Sequence, residues 1–183
     1  MSAGPDRLTE KKISSELIYA GRVVNLYLDT AQLPNGKTAT REVVQHSGAV
    51  AIVPVDANRN IVMVRQYRYP TGRILLEIPA GTLHEGEAPE HCAERELQEE
   101  IGYKPGHLEK IGAVYLAPGY SSEYIHLFIA TDLQESRLEM DEDEFIEVDR
   151  LSLAEALLRI QRGEIADAKT ISALLLAKDR LTS

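Results

Sequence analysis

Along residues 16–20 and 23–33 apolar and polar side chains alternate as they do in strands. Pro34-Asn35-Gly36-Lys37 then supplies the Asn-Gly pair of a tight hairpin leading into Thr38–His46. The first dozen residues are polar, carry Gly4 and Pro5, and are expected to form a frayed arm. Ala49–Val55 is a continuous apolar run, the pattern of a strand covered on both faces, and Ile61–Tyr69 follows across a polar turn. In that second run Val62 and Val64 alternate with Met63, Arg65 and Tyr67, which predicts one core face and one face offering polar groups. Ile74–Ile78 reads as a further strand, broken by Pro79-Ala80-Gly81. A helix is predicted over Ala88–Ile101. Pro89 suits its first turn, Glu87 and Glu90 complement its positive end, Ala93 and Leu97 give it an apolar stripe, and Gly102 stands where a helix-ending glycine belongs. Leu108–Ala117 and Tyr124–Leu133 read as strands joined by a loop longer than a hairpin turn, Pro118 to Glu123. A short strand ends at Val148. The capping box Ser152-x-x-Glu155 opens a helix to Arg162, Gly163 stops it, and an amphipathic helix closes the chain over Asp167–Arg180. Strands with three interspersed helices predict an α/β layered domain.

A length of 183 residues suits one globular domain with a small appendage, and 44% hydrophobic against 27% charged residues supports a packed core. Twenty basic against 29 acidic residues give a net charge of −9, which repels phosphodiester backbones and argues against a nucleic-acid partner. The single cysteine, Cys92, forms no internal disulfide, the N-terminus lacks a basic-then-apolar signal, and the longest apolar run is far shorter than a bilayer span. A cytoplasmic protein without a membrane partner is the expectation. The five histidines show no ligand spacing, so zinc is not expected. Gly36-Lys37-Thr38 lacks the earlier glycine of a phosphate-binding loop, Ala31 standing in its place. Cys92, inside a helix and without an expected basic neighbour, is expected to pack rather than to react.

The predicted helix carries the chemistry. At 3.6 residues per turn, Glu96, Glu99 and Glu100 fall within about 100° of one another, so three carboxylates crowd one face. Carboxylate oxygens are hard ligands suited to Mg²⁺ or Mn²⁺, and cations so held suit a phosphate-bearing partner. Arg95 lies one turn from Glu99 and within reach of Glu87, an ion-paired support for the cluster. By itself such a run is also what a solvated helix face looks like. The full pattern decides between the two: Gly81, Glu87, Arg95-Glu96, an aliphatic residue at 97, Glu99-Glu100, Gly102 and Tyr103 stand at the spacings of the Nudix box, without a miss over residues 81–103. The chain therefore resembles the Nudix hydrolases. Pro118, 15 residues after Tyr103, together with Val64-Arg65-Gln66-Tyr67-Arg68, Leu76-Glu77-Ile78-Pro79-Ala80-Gly81 and the acidic run 141–144 followed by Gly163-Glu-Ile-Ala-Asp-Ala, is similar to the ADP-ribose pyrophosphatase subfamily.

That resemblance implies a Nudix-type α/β/α sandwich around a mixed sheet, with an N-terminal antiparallel extension. Residues 1–46 would be arm and strands swapped across a two-fold homodimer, and 47–183 the hydrolase domain. It implies Mg²⁺, with Mn²⁺ as a substitute, held by Glu96, Glu100 and the carbonyl of Ala80, with Glu99 a further ligand or a water-orienting group. Glu87 and Arg95 would tie loop to helix, and Gly81 and Gly102 would shape the box. Glu142 or Glu144, the first slightly preferred, would position or deprotonate the attacking water; one of the two is then simply a solvated loop residue. Arg68 and Arg65 would grip the phosphates, though Arg65 equally suits a surface strand position. Glu77 and Glu42 would lie near ribose or adenine, or serve as structural ion-pair partners. Arg41 and Gly119 complete the implied substrate contacts. The implied reaction is hydrolysis of ADP-ribose to AMP and ribose 5-phosphate, the alternative being another nucleoside diphosphate sugar or a dinucleotide. A non-catalytic ADP-ribose-binding module would show eroded box residues, and none is eroded.

Overall fold

The computed structural model of the chain describes residues 7–140 and 144–182, which group into two units. The smaller runs up to Ser47 and takes in Ala117–Glu123. In it β1 (Lys11–Ala20), β2 (Asn25–Gln32) and β3 (Thr38–Gln45) form an antiparallel sheet in that order. Gly36, at φ 82°, makes the expected tight turn, and Lys37 N–H donates to the Asn35 side chain. β1 begins at Lys11, five residues before the expected start. All ten of its residues are exposed, so backbone pairing with β2 holds it, and no burial pattern could have announced it. Loop 117–123 joins this unit as a short parallel bridge, Val44 N–H donating to the Tyr120 carbonyl and Ser122 N–H to that of Val44.

The larger unit is built on two sheets. One has the order β7-β4-β9-β8: β4 (Ala49–Pro54) pairs in parallel with β9 (Tyr124–Glu135), and antiparallel with the three-residue β7 (Ala80–Thr82). β8 (Tyr103–Tyr115) is its edge. The other sheet is β10-β5-β6, from Ile146–Ser152, Asn60–Arg68 and Arg73–Glu77. The helices are α1 (Pro89–Glu96, continued by a π-helical turn over Leu97–Ile101), α2 (Leu153–Gln161) and α3 (Ala168–Thr182). Alternate residues of the central strands feed two separate cores. Val50, Ile52, Val62, Val64 and Phe128 pack with Cys92, Ala93, Leu97 and Ile101 of α1. Ala51, Val53, Ile61, Met63, Leu127 and Ile129 pack with Ala156 of α2 and with Ala173, Leu174 and Ala177 of α3. The result is the expected α/β/α sandwich.

Three details differ from expectation. Met63 is as buried as Val62 and Val64, because β5 is covered on both sides through Val64; exposed residues begin at Arg65. β7 forms where a break was expected, since Ala80 and Gly81 still pair with Ala51 and Val50. β8 starts at Tyr103 rather than Leu108. Pro105 and Gly106 are tolerated on an edge strand, and a Cβ on Gly106 would lie 2.8 Å from the side chain of Asp132. α2 is capped as expected, the Ser152 hydroxyl accepting from Glu155 N–H at 3.2 Å.

Candidate active site

The turn into β7 and the buried face of α1 bring the box together. Gly81 lies directly against Glu96: a Cβ there would sit 1.8 Å from the carboxyl carbon, so no side chain fits while Glu96 stays in place. The neighbouring Ala80 N–H donates to Glu100 Oε2 at 3.3 Å. Gly102, at φ 76°, ends the π turn in the left-handed conformation that glycine adopts without strain. That turn carries both Glu99 and Glu100, and π turns inside helices concentrate at functional sites.

Arg95 organises the carboxylates. Its Nε and Nη2 donate to the two oxygens of Glu87 at 3.0 and 3.1 Å, and its Nη1 to Glu96 Oε1 at 2.7 Å and Glu99 Oε2 at 2.9 Å. Glu87 in turn accepts from His84 N–H, which fixes the loop before α1. The Arg95 fork drives the Glu87 pKa down to about 2. Burial works against the guanidinium charge, but Glu87 and Glu96 outweigh it and push the Arg95 pKa up. Arg95 also places Nη2 3.2 Å from Cys92 Sγ, so a basic group does stand beside this cysteine, contrary to expectation. Burial nevertheless dominates and raises the thiol pKa, leaving Cys92 an inert packing group.

Glu96 and Glu100 are buried, and their charges are poorly offset. Burial, assisted by Glu99 and Glu144 against the pull of Arg95, lifts Glu96 to about 7. Burial, Glu96 and Glu144 raise Glu100 well above the usual carboxylate range. Glu144 is half-buried and close enough to burden both. Glu142, the slightly preferred alternative, lies outside the described residues. Among the described residues no three side chains already close into a cation cage. The donor set still fits a hard divalent cation, because clustered carboxylates held high in pKa by burial and by one another lack positive charge. Glu96 and Glu100 are the groups that would hold it, with Ala80 in β7 and Glu144 beside them.

These pKa values make cation binding compete with protons. Below about pH 7 Glu96 holds a proton that a cation must displace, so apparent Mg²⁺ affinity is expected to weaken as pH falls from about 8 to about 6. Calorimetric titration in two buffers of different ionisation enthalpy measures the protons released. No release near pH 6 would show that Glu96 is not a ligand.

The expected substrate residues divide. Arg68 donates through Nε and Nη2 to both oxygens of Glu77, at 2.9 and 2.8 Å, and feels the charge of Glu100. Glu77 is 1% exposed with both oxygens committed, so it contacts Arg68 rather than a ribose or base. Burial favours its neutral form, but Arg68 and Lys169 prevail and hold its pKa low. Arg65 points to the opposite side of β5 from Arg68. It is half-exposed, lies 3.8 Å from Glu147, and lines a cleft shared with Glu144, Tyr67 and Phe145. Arg41, Glu42 and Gly119 belong to the smaller unit. There Arg41 forks onto Glu10 at 3.0 and 2.6 Å, Glu42 is exposed on β3, and Gly119 is exposed in the loop. Lys169 escaped the sequence reading altogether.

The model of the NUDIX domain matches residues 45–174. The chain belongs to the Nudix family. The nucleoside diphosphate sugar hydrolase N-terminal domain matches residues 10–44 ahead of it. The chain is 47% identical over 169 residues to the ADP-ribose pyrophosphatase of Bacillus subtilis, covering 91% of each. It is 45% identical over 167 residues to the methanol dehydrogenase activator of Bacillus methanolicus, covering 90% of each. A crystal structure of an ADP compounds hydrolase superimposes with a TM-score of 0.86 at 25% identity, covering 98% of this chain and 97% of that one. Within the Nudix fold, the cluster at Glu96, Glu99 and Glu100 is thus the box of a hydrolase.

Proposed function

We propose that this chain is an ADP-ribose pyrophosphatase that splits ADP-ribose into AMP and ribose 5-phosphate with Mg²⁺, Mn²⁺ substituting. The observation that carries this reading is the pair of under-compensated carboxylates, Glu96 and Glu100, with Glu144 close to both, beside a cation, Arg68, held on a buried partner. When bound, the metal would supply neutralisation of the pyrophosphate and activation of water. Glu96 and Glu100 would hold it. Glu144, close to both Glu96 and Glu100, would take the proton from the attacking water, Glu142 being the alternative. Arg68 offers an oriented guanidinium to phosphate oxygens. Arg95 and Glu87 lock the loop to the helix, keeping Glu96 in place.

The N-terminal match supports a second reading, a preference for another nucleoside diphosphate sugar. A hydrolysis panel with Mg²⁺ over ADP-ribose, GDP-mannose, UDP-glucose, diadenosine polyphosphates and NADH separates the two. Highest kcat/KM on ADP-ribose is expected, and a higher value on any other compound overturns the substrate. Binding without turnover would make the chain a ligand-binding module.

The same reading places the enzyme in the cytoplasm as a two-fold dimer with crossed N-terminal strands. Exposed Ile13, Leu17, Ile18 and Tyr19 on β1 support the dimer, since so many exposed apolar side chains on one strand are costly in water. Light scattering is expected to give twice the chain mass of 20.3 kDa; a monomer at micromolar concentration rejects it.

A further inference from the structure

Lysine is rarely buried without a partner that repays its lost hydration and side-chain freedom. Lys169, in the first turn of α3, is 8% exposed. Its ammonium contacts Glu77 Oε2, and Asp167 Oδ2 at 3.0 Å. Asp167 Oδ2 also accepts from the N–H of Thr170 at 2.9 Å and from its hydroxyl at 2.6 Å, so it anchors the start of the helix. The Thr170 hydroxyl oxygen accepts from Ile78 N–H at 3.0 Å, which ties the end of β6 to the same turn. Glu77 is therefore gripped on one side by Arg68 and on the other by α3.

The Arg68–Glu77 fork would be a complete ion pair without the lysine. A second cation on the same carboxylate changes what the pair can do. With Glu77 shared, the Arg68 guanidinium is fixed in direction but only partly neutralised, and its side chain is 36% exposed while that of Glu77 is 1% and that of Lys169 10%. Arg68 is thus the most solvent-exposed member of the network, and it feels the charge of Glu100. Asp167 balances the added lysine charge. Loss of the lysine charge would leave the four-group network with a net charge of −1 beside carboxylates already repelling anions.

We propose that Lys169 is a positioning residue for substrate binding, acting through Glu77 to present Arg68 as an oriented, under-neutralised cation to a phosphate group of a nucleoside diphosphate substrate. This rests on the reading that Arg68 contacts the substrate phosphates. A residue that only holds the fold together would lower stability or kcat without a selective effect on KM, and its effect would not depend on Arg68.

The test is a double-mutant cycle in KM and kcat for ADP-ribose with Mg²⁺, using Lys169→Gln and Arg68→Gln, whose amides still donate to Glu77. Lys169→Gln is expected to raise KM about tenfold with kcat changed less than about threefold, Lys169→Arg to recover most of the loss, and Lys169→Gln to change KM less than about twofold once Arg68 is Gln. If Lys169→Gln leaves KM unchanged, or raises it equally in both backgrounds, the positioning role is overturned. If Arg68→Gln itself leaves KM unchanged, it is the assignment of Arg68 to the phosphates that fails. Should Lys169→Gln melt below the assay temperature, Lys169→Met, which keeps the apolar stem in its buried slot, carries the same comparison.

Discussion

Glu100→Gln is expected to lower kcat for ADP-ribose about a thousandfold while the melting temperature of the metal-free protein stays level or rises. The two effects have one origin. The Glu100 carboxylate is 3% exposed, and burial, Glu96 and Glu144 all disfavour its charge. An amide keeps its volume, still accepts from Ala80 N–H, and removes an anion the fold does not welcome. On the proposed assignment the metal-loaded enzyme would lose a charged ligand, where several kcal/mol of transition-state stabilisation are at stake, and each 1.4 kcal/mol is about tenfold. Steady-state kinetics and a thermal melt of the same sample suffice. Near-normal turnover by a folded variant removes Glu100 from the ligand set, and a lower melting temperature makes it a structural partner instead.

Arg95→Ala is expected to damage both quantities together. One guanidinium serves Glu87, Glu96 and Glu99, so its removal strands three carboxylates at once, one of them buried. Breaking a buried pair from one side costs about 3–5 kcal/mol, or about 10 °C in a domain of this size. Activity falls as well, because Glu96 is no longer held against Gly81. Arg95→Lys is expected to rescue little, since an ammonium cannot fork across Glu87 while reaching Glu96 and Glu99. Urea unfolding of both variants measures this; a Lys variant as stable as the parent would show that charge alone, without the fork, organises the site.

The box was legible because its residues lie within one turn and one helix, where spacing converts directly into shared faces. Glu87, Arg95, Glu96 and Glu100 meet as their intervals imply. Other parts depend on partners distant in sequence. Lys169 sits in an amphipathic helix where a lysine reads as a surface residue, and nothing local reveals that its carboxylate, Glu77, is 92 positions earlier. For the same reason the sequence left Glu77 open between a group near the substrate and an ion-pair partner, and only the fold shows the buried anchor. Pro105-Gly106 obscured the start of β8, since it takes the sheet order to show that this strand is an edge. β1 gave little pattern because all ten of its residues stay exposed.

The parallel pairing of β4 with β9 has a consequence for the order of events during synthesis. Residues 49–54 lie along 125–130, and the whole box is strung between them. Parallel neighbours cannot form by a local turn, and contacts so far apart in the chain are slow to close. A nascent chain released as far as the end of the box holds every box carboxylate but no sheet to seat them. The site assembles only after β9 has left the ribosome, and a chain halted before Tyr124 leaves Ala51 and Val53 of β4 without the β9, α2 and α3 residues that cover them.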